Sequence, residues 1–126
     1  MKILVVEPFR MHPYVKEINE SLESMQKVVD GRIEAIYPFK DNVALVCNEE
    51  GKIKDLLLNR MVVYDDYDMD TIVGTFFLTG LTEESFGSLS DQQIAFYKKV
   101  FSVPLIDVVA TNREIENGGI YGENTD

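Results

Sequence analysis

Three kinds of residue in this 126-residue chain have the chemistry to act on a ligand: one histidine, one cysteine and an unusual run of carboxylates. Imidazole acid–base catalysis and nucleophilic triads need a histidine beside the reacting group. The single one, His12, stands in a Met-His-Pro turn and reads as a surface residue. Cys47 follows Val43-Ala44-Leu45-Val46, where a free cysteine behaves as a small buried hydrophobe rather than as a thiolate activated by a cation or a helix N-terminus. One Cys and one His cannot complete a zinc tetrahedron. In Asp65-Asp66-Tyr67-Asp68-Met69-Asp70, the side chains of Asp66, Asp68 and Asp70 reproduce the first three alternating ligands of a calcium hand. Thr71 then replaces the required glycine, and Phe77 stands where the bidentate glutamate belongs. The run therefore reads as a solvated acidic turn, with no metal and no cofactor expected. Neither G-x-x-x-x-G-K-[ST] nor G-x-G-x-x-G is present, so nucleotide binding has no motif. Nothing sets an acid against a base, and catalysis is not indicated.

Charge is the stronger signal. Residues 1–60 hold nine Lys/Arg against ten Asp/Glu, and residues 61–126 hold three against twelve, so the second half carries nearly all of the net charge of −10. From Met61 through Tyr97 there is no Lys or Arg, while Asp65, Asp66, Asp68, Asp70, Glu83, Glu84 and Asp91 all fall there. A chain with no basic cluster cannot neutralise phosphates, which argues against direct nucleic-acid binding. Such a surface can instead meet a basic protein, and Asp65, Asp66, Asp68, Asp70, Glu83 and Glu84 are the candidate partner-binding residues. The competing reading is that the carboxylates only keep a small domain soluble.

The elements that must position these residues follow from pattern. Lys2–Val6 is a β-branched strand stopped by Glu7 and Pro8, and Tyr14–Ile18 returns as a second. Asn19 or Ser21 caps a helix whose apolar positions Leu22, Met25, Val28 and Val29 precede Gly31. Arg32–Phe39 and Val43–Asn48 flank Lys40-Asp41-Asn42 as an antiparallel hairpin, and Leu56–Asn59 reads as a loop. Thr71–Thr79 is continuously apolar, as a central strand buried on both faces would be, with Gly74 marking a bulge or a close contact. Ser90 and Gln93 form a capping box for a second helix over Asp91–Ser102 lined by Ile94, Tyr97, Val100 and Phe101. The expected fold is α+β: a single domain with a mainly antiparallel sheet of four or five strands and two amphipathic helices, its core including Ile36, Leu45, Phe76 and Val100. Residues 1–104 form that domain and 105–126 an acidic, partly mobile extension, its last dozen residues above all.

A length of 126 residues with 45% hydrophobic content suits one core that buries roughly 65% of the unfolded surface without disulfides. A lone cysteine and the absence of a signal-peptide pattern point to a reducing cytoplasm. The longest apolar stretch, Ile72–Leu81, is far short of the ~20 residues that span a bilayer. No membrane association is expected.

The segments ILVVEP, YVKEI, YPFKDNVALVCNEEGK, LLLNR and IVGTFFLTGL, spread over Met1–Ser102, resemble a bacterial family known as domain of unknown function 3846. Its most specific stretch here is Tyr37–Lys52, followed by Asn59-Arg60 and Gly74-Thr75-Phe76-Phe77. The resemblance implies an accessory gene of a phage, plasmid or conjugative element, and it implies no activity or catalytic residue. Motif positions such as Pro38, Asn48, Gly51, Asn59, Arg60 and Gly74 are types that shape turns and packing. Three functions remain open. The first is a non-enzymatic module that blocks a host defence or nucleic-acid-binding protein through its acidic surface. The second is a small-molecule or divalent-metal site at the acidic turn with Tyr64, Tyr67, Phe76 and Phe77, aromatics whose spacing also suits a core. The third is a carboxylate-based hydrolase.

Overall fold

The computed structural model of the protein describes residues 1–65 and 67–121. Nine strands and three helices follow in the order β1 (Lys2–Val6), β2 (Tyr14–Glu17), α1 (Leu22–Val29), β3 (Ile33–Ile36), β4 (Val43–Asn48), β5 (Leu58–Val63), β6 (Met69–Val73), β7 (Phe76–Leu81), β8 (Phe86–Gly87), α2 (Asp91–Val100), β9 (Leu105–Asp107) and α3 (Val108–Glu116). The class is α+β, as expected. The main sheet runs β2-β1-β7-β4-β3 with the short β8 on the far end of β7, all antiparallel. A second sheet, β6-β5-β9, pairs β5 with β6 antiparallel and with β9 parallel.

Apolar runs without alternation become strands covered on both faces, because each successive side chain then meets a packed layer. Ile3, Val5, Ala44, Val46 and Phe77 face α1, where Val29 is buried and Met25 and Val28 pack alongside. Their neighbours Leu4, Val6, Leu45, Phe76 and Leu78 face the opposite layer, made of α2, α3 and the second sheet. Phe39, Phe76, Tyr97 and Phe101 meet there edge-to-face or tilted, with ring centroids 5.2–5.9 Å apart. Leu45 and Phe76 are core, whereas Ile36 and Val100 pack against it half-buried. The caps are those the sequence announces. Ser21 Oγ accepts from Ser24 N, and Ser90 and Gln93 close the capping box of α2.

Four expectations need correction. Thr71–Thr79 is not one strand: β6 lies at the edge of the second sheet and β7 at the centre of the first. At the junction Gly74 has φ 75°, and a β-carbon there would sit 2.7 Å from Leu56 Cδ1, so glycine suits the crossing between sheets at this point. Leu56–Asn59 is not wholly loop, since Leu58 opens β5. The sheet strands and helices also outnumber the four or five and two expected. Beyond Pro104 the chain folds back, with β9 paired to β5 and Ile106, Val108, Ile115 and Ile120 in the core, so residues 105–121 are packed rather than a free extension. The remainder of that segment, 122–126, lies outside the described residues. No helix among the described residues is long and apolar enough to cross a membrane.

Candidate functional site

The acidic run forms the turn of the β5–β6 hairpin. Its conformation is set by its own polar atoms: Asp65 Oδ1 accepts from Tyr67 N at 2.8 Å, and Tyr64 N donates to Asp68 O at 2.8 Å. Aspartate favours such turns because its short side chain mimics a backbone acceptor. Asp65 and Asp68 are exposed on this turn, and Asp66 lies outside the described residues. Asp70 is already on β6, where Lys52 Nζ pairs with it at 2.5 Å. Glu83 and Glu84 stand elsewhere, on the turn between β7 and β8, held by Thr82 Oγ1 accepting from Glu84 N and Ser85 N. The five described candidate carboxylates thus fall on two hairpins of two sheets, Asp65, Asp68 and Asp70 on β5–β6 and Glu83 and Glu84 on β7–β8. Among the described residues no hydrogen bond or ion pair joins the turns.

Tyr67 is the residue that charge counting passed over. Its side chain is 98% exposed, between Asp65 and Asp68. An aromatic carries a large apolar area, and one left wholly in water is the kind of side chain that anchors an interface. Of the other aromatics grouped with it, Phe76 and Phe77 are core, and Tyr64 is half-buried. The signal in the sequence was the aromatic inside a run of aspartates.

Behind the turn lies a cleft of about 320 Å³ lined by Glu34, Cys47, Lys52, Ile53, Tyr64 and Asp70 among others. Burial pushes the Cys47 thiol up to about 11, with the Glu34 and Asp70 carboxylates adding to the effect and Lys52 opposing it. Cys47 is therefore a neutral thiol at physiological pH, as expected of a strand cysteine. The hydrogen bond from Lys52 holds Asp70 below the usual carboxylate range and raises Lys52 in turn. Burial, then the Asp70 and Asp68 carboxylates, raise the Tyr64 phenol. Lys52 and Asp70 thus stabilise each other as ions, and the thiol and phenol beside them are held protonated. His12 does not line this cleft: it is exposed, with Nδ1 3.3 Å from Ser102 Oγ. Among the described residues no group of three or more His, Cys, Asp or Glu could hold a metal.

Buried polar residues brace the hairpin against the main sheet. At a bulge in β5, Asn59 Nδ2 donates to Val6 O and Gly74 O at 2.9 and 2.8 Å, and its Oδ1 accepts from Arg60. Arg60 is only 4% exposed. Its guanidinium donates to the carbonyls of Phe101, Asn59, Arg10 and Met11 at 2.9–3.1 Å. Burial lowers its pKa, yet an arginine stays charged. The Phe101 carbonyl ends α2, so the cation also meets the negative end of that helix. Asn48 plays a similar part for α1, donating to Val29 O and Asp30 O at 3.0 and 3.2 Å.

These bracing residues fall in a stretch with a recognisable pattern. Residues 1–102 match the family described as a domain of unknown function, DUF3846. The chain belongs to that family. No curated protein and no solved structure matches it. Within the DUF3846 span lie both acidic turns, the cleft, Asn48, Asn59, Arg60 and Gly74, whereas β9 and α3 lie beyond it.

Sequence reasoning also missed a polar knot that fastens this added segment to the DUF3846 span. Asp41 accepts from Tyr97 Oη at 2.9 Å, Tyr121 Oη at 2.8 Å and Gln93 Nε2 at 3.2 Å. Asn112 meanwhile bonds Lys40 N and Pro38 O, and Lys40 Nζ pairs with Glu116 at 3.1 Å. No spacing rule links Asp41 to Tyr121, 80 residues apart.

Proposed function

We propose that the protein is a non-enzymatic binding module that docks a basic protein partner with the tip of its β5–β6 hairpin. The observation that carries this reading is Tyr67, wholly exposed on a turn whose neighbours Asp65 and Asp68 are carboxylates. The aromatic supplies apolar contact area, and the carboxylates supply selectivity for a cationic surface and a faster encounter. Glu83 and Glu84 on the β7–β8 turn extend the acidic field without completing the same patch. The mobile-element setting that the family resemblance implies makes a cytoplasmic host defence protein or nucleic-acid-binding protein the partner to seek. The test is capture from a bacterial lysate at about 0.1 M and about 1 M salt, where the Debye length shrinks from about 10 to about 3 Å. A partner retained by the wild type at low salt and lost at high salt, and lost at both by Tyr67→Ala, supports the reading. Equal capture by Tyr67→Ala refutes it.

One observation favours a second reading, a small-molecule site: Asp70 and Tyr64 both line the cleft behind the turn. A thermal-shift screen with calcium, magnesium and small metabolites separates the two, since a ligand that binds only the folded state raises Tm with its concentration.

A further inference from the structure

Unusual backbone geometry in this protein gathers around one cavity. Among the described residues, five have φ in the left-handed region: Phe9 (63°), Asp30 (58°), Asp55 (56°), Gly74 (75°) and Gly118 (84°). Phe9, Asp30 and Gly74 line a single cavity of about 340 Å³, and Asp55 immediately precedes Leu56, which also lines it. Phe9, Asp30 and Gly74 each have a local reason. Asp30 closes α1, its N–H donating to Gln26 O, and Gly74 carries the chain between the sheets. Phe9 follows Pro8 in a turn closed by Arg10 N donating to Glu7 O at 3.3 Å. A bulky side chain in this conformation is a genuine outlier, and with 88% of it exposed no packing offsets the strain. Strain of this kind persists where the surroundings over-determine it, and it clusters at ligand clamps.

The lining defines the ligand. Phe9, Val28, Leu56 and Leu57 give apolar walls, and Leu57 is itself exposed. The charged residues that line the cavity are Glu7 and Asp30, both acidic. Glu7 is fixed in place, accepting from Tyr14 Oη at 2.6 Å. Arg10 pairs with Glu7 at 3.7 Å and stacks over the Tyr14 ring at 4.6 Å, which leaves the rim with one carboxylate in excess. The volume is at the small end of ligand pockets, enough for one ring or a short aliphatic chain.

We propose that this cavity binds a small organic cation, an amine on an aromatic or aliphatic body, with Phe9 as one wall and Glu7 and Asp30 as its counter-charges. A ring presented at the edge of a negative cavity suits an ammonium group by cation–π attraction as well. The site is separate from the hairpin tip, and the two readings stand or fall independently.

The test titrates 2-phenylethylammonium into ¹⁵N-labelled protein and follows backbone amide shifts, with 3-phenylpropionate as the probe of opposite charge. Saturable shifts at Phe9, Asp30, Leu57 and Gly74 are expected with the amine and not with the acid. Asp30→Asn keeps a residue that tolerates the left-handed conformation while removing the charge, and should weaken binding at least threefold. Phe9→Gly removes the wall and relieves the strain, so it should weaken binding at least tenfold while Tm holds or rises. No saturable shift at millimolar amine, shifts spread away from these residues, or equal response to the acid would overturn the proposal. So would a fall in Tm for Phe9→Gly, because Phe9 would then serve packing.

Discussion

Arg60 is a buried cation held by carbonyl oxygens, and its replacement tests whether geometry or charge matters. Lysine keeps the charge but offers a single ammonium where the guanidinium reaches four carbonyls. Arg60→Lys should destabilise the fold by about 3 kcal/mol, read from denaturant midpoints at unchanged slope, because hydrogen bonds to a charged group are worth about 1.5–3 kcal/mol each and orphaned carbonyls add to the loss. A change below about 1 kcal/mol would show that the hydrogen bonds are not the role of this side chain. Alkaline pH gives a second test. Burial, then the Asp41 carboxylate, raise the Tyr97 phenol above its ordinary value of 10.0, and the Cys47 thiol rises from 9.0 to about 11. The folded state therefore holds protons that the unfolded chain releases, and stability must fall as pH climbs past 9 and on through 11. Tyr97→Phe should flatten part of that decline, seen in Tm against pH. A profile that rises over the same interval would contradict the assignment. Chemistry at this scale was legible only in part. Neutral Cys47 and exposed His12 follow from their neighbours in sequence, and Asn59 and Arg60 read as residues that shape turns and packing, but their burial depends on carbonyls brought from β1, α2 and the β6–β7 junction.

At the scale of elements, short-range signals did well. The Ser21 cap, the capping box at Ser90 and the β3–β4 hairpin all depend on residues within a few positions of one another. Gly74 shows where such reading stops. Period and composition make Thr71–Thr79 one apolar strand, and the break between β6 and β7 comes at Gly74, where φ is 75° and the N–H donates to Leu57 O, a partner that no local pattern encodes. Gly74→Ala should cost about 1–3 kcal/mol, since alanine is strained at φ 75° and would strike Leu56. Unchanged Tm would mean the crossing is not fixed here. The helix α3 was more legible than its omission suggests: Asp107 Oδ1 caps Ala110 N, and Val108, Thr111 and Ile115 are buried at helical spacing. Its β-branched residues and the polar residues after it disguised that periodicity. Deleting everything after Ser102 strips Ile106, Val108, Ile115 and Ile120 from the core. Four aliphatic side chains at about 1.5–3 kcal/mol each amount to most of a domain's stability, so residues 1–102 alone should lack a cooperative thermal transition. A shortened chain melting within a few degrees of the full one would reduce β9 and α3 to decoration.

For the whole molecule, the division of charge survives folding in an altered form. The carboxylates that look like one acidic block in sequence separate onto the β5–β6 and β7–β8 turns, and Asp70 is neutralised by Lys52 from the other half of the chain. What remains at the hairpin tip is Asp65, Tyr67 and Asp68, and an exposed ion pair such as Lys52–Asp70 adds little to stability. Asp65 shapes the turn through its bond from Tyr67 N, but the exposed Tyr67 side chain is free of structural duty, so its removal should move binding and not folding. The most direct test is the affinity of Tyr67→Ala for the partner recovered from lysate, measured by calorimetry beside its Tm. A central aromatic anchor is worth about 2 kcal/mol or more, which predicts at least roughly 30-fold weaker binding with an unchanged Tm. Wild-type affinity in that variant would contradict the account.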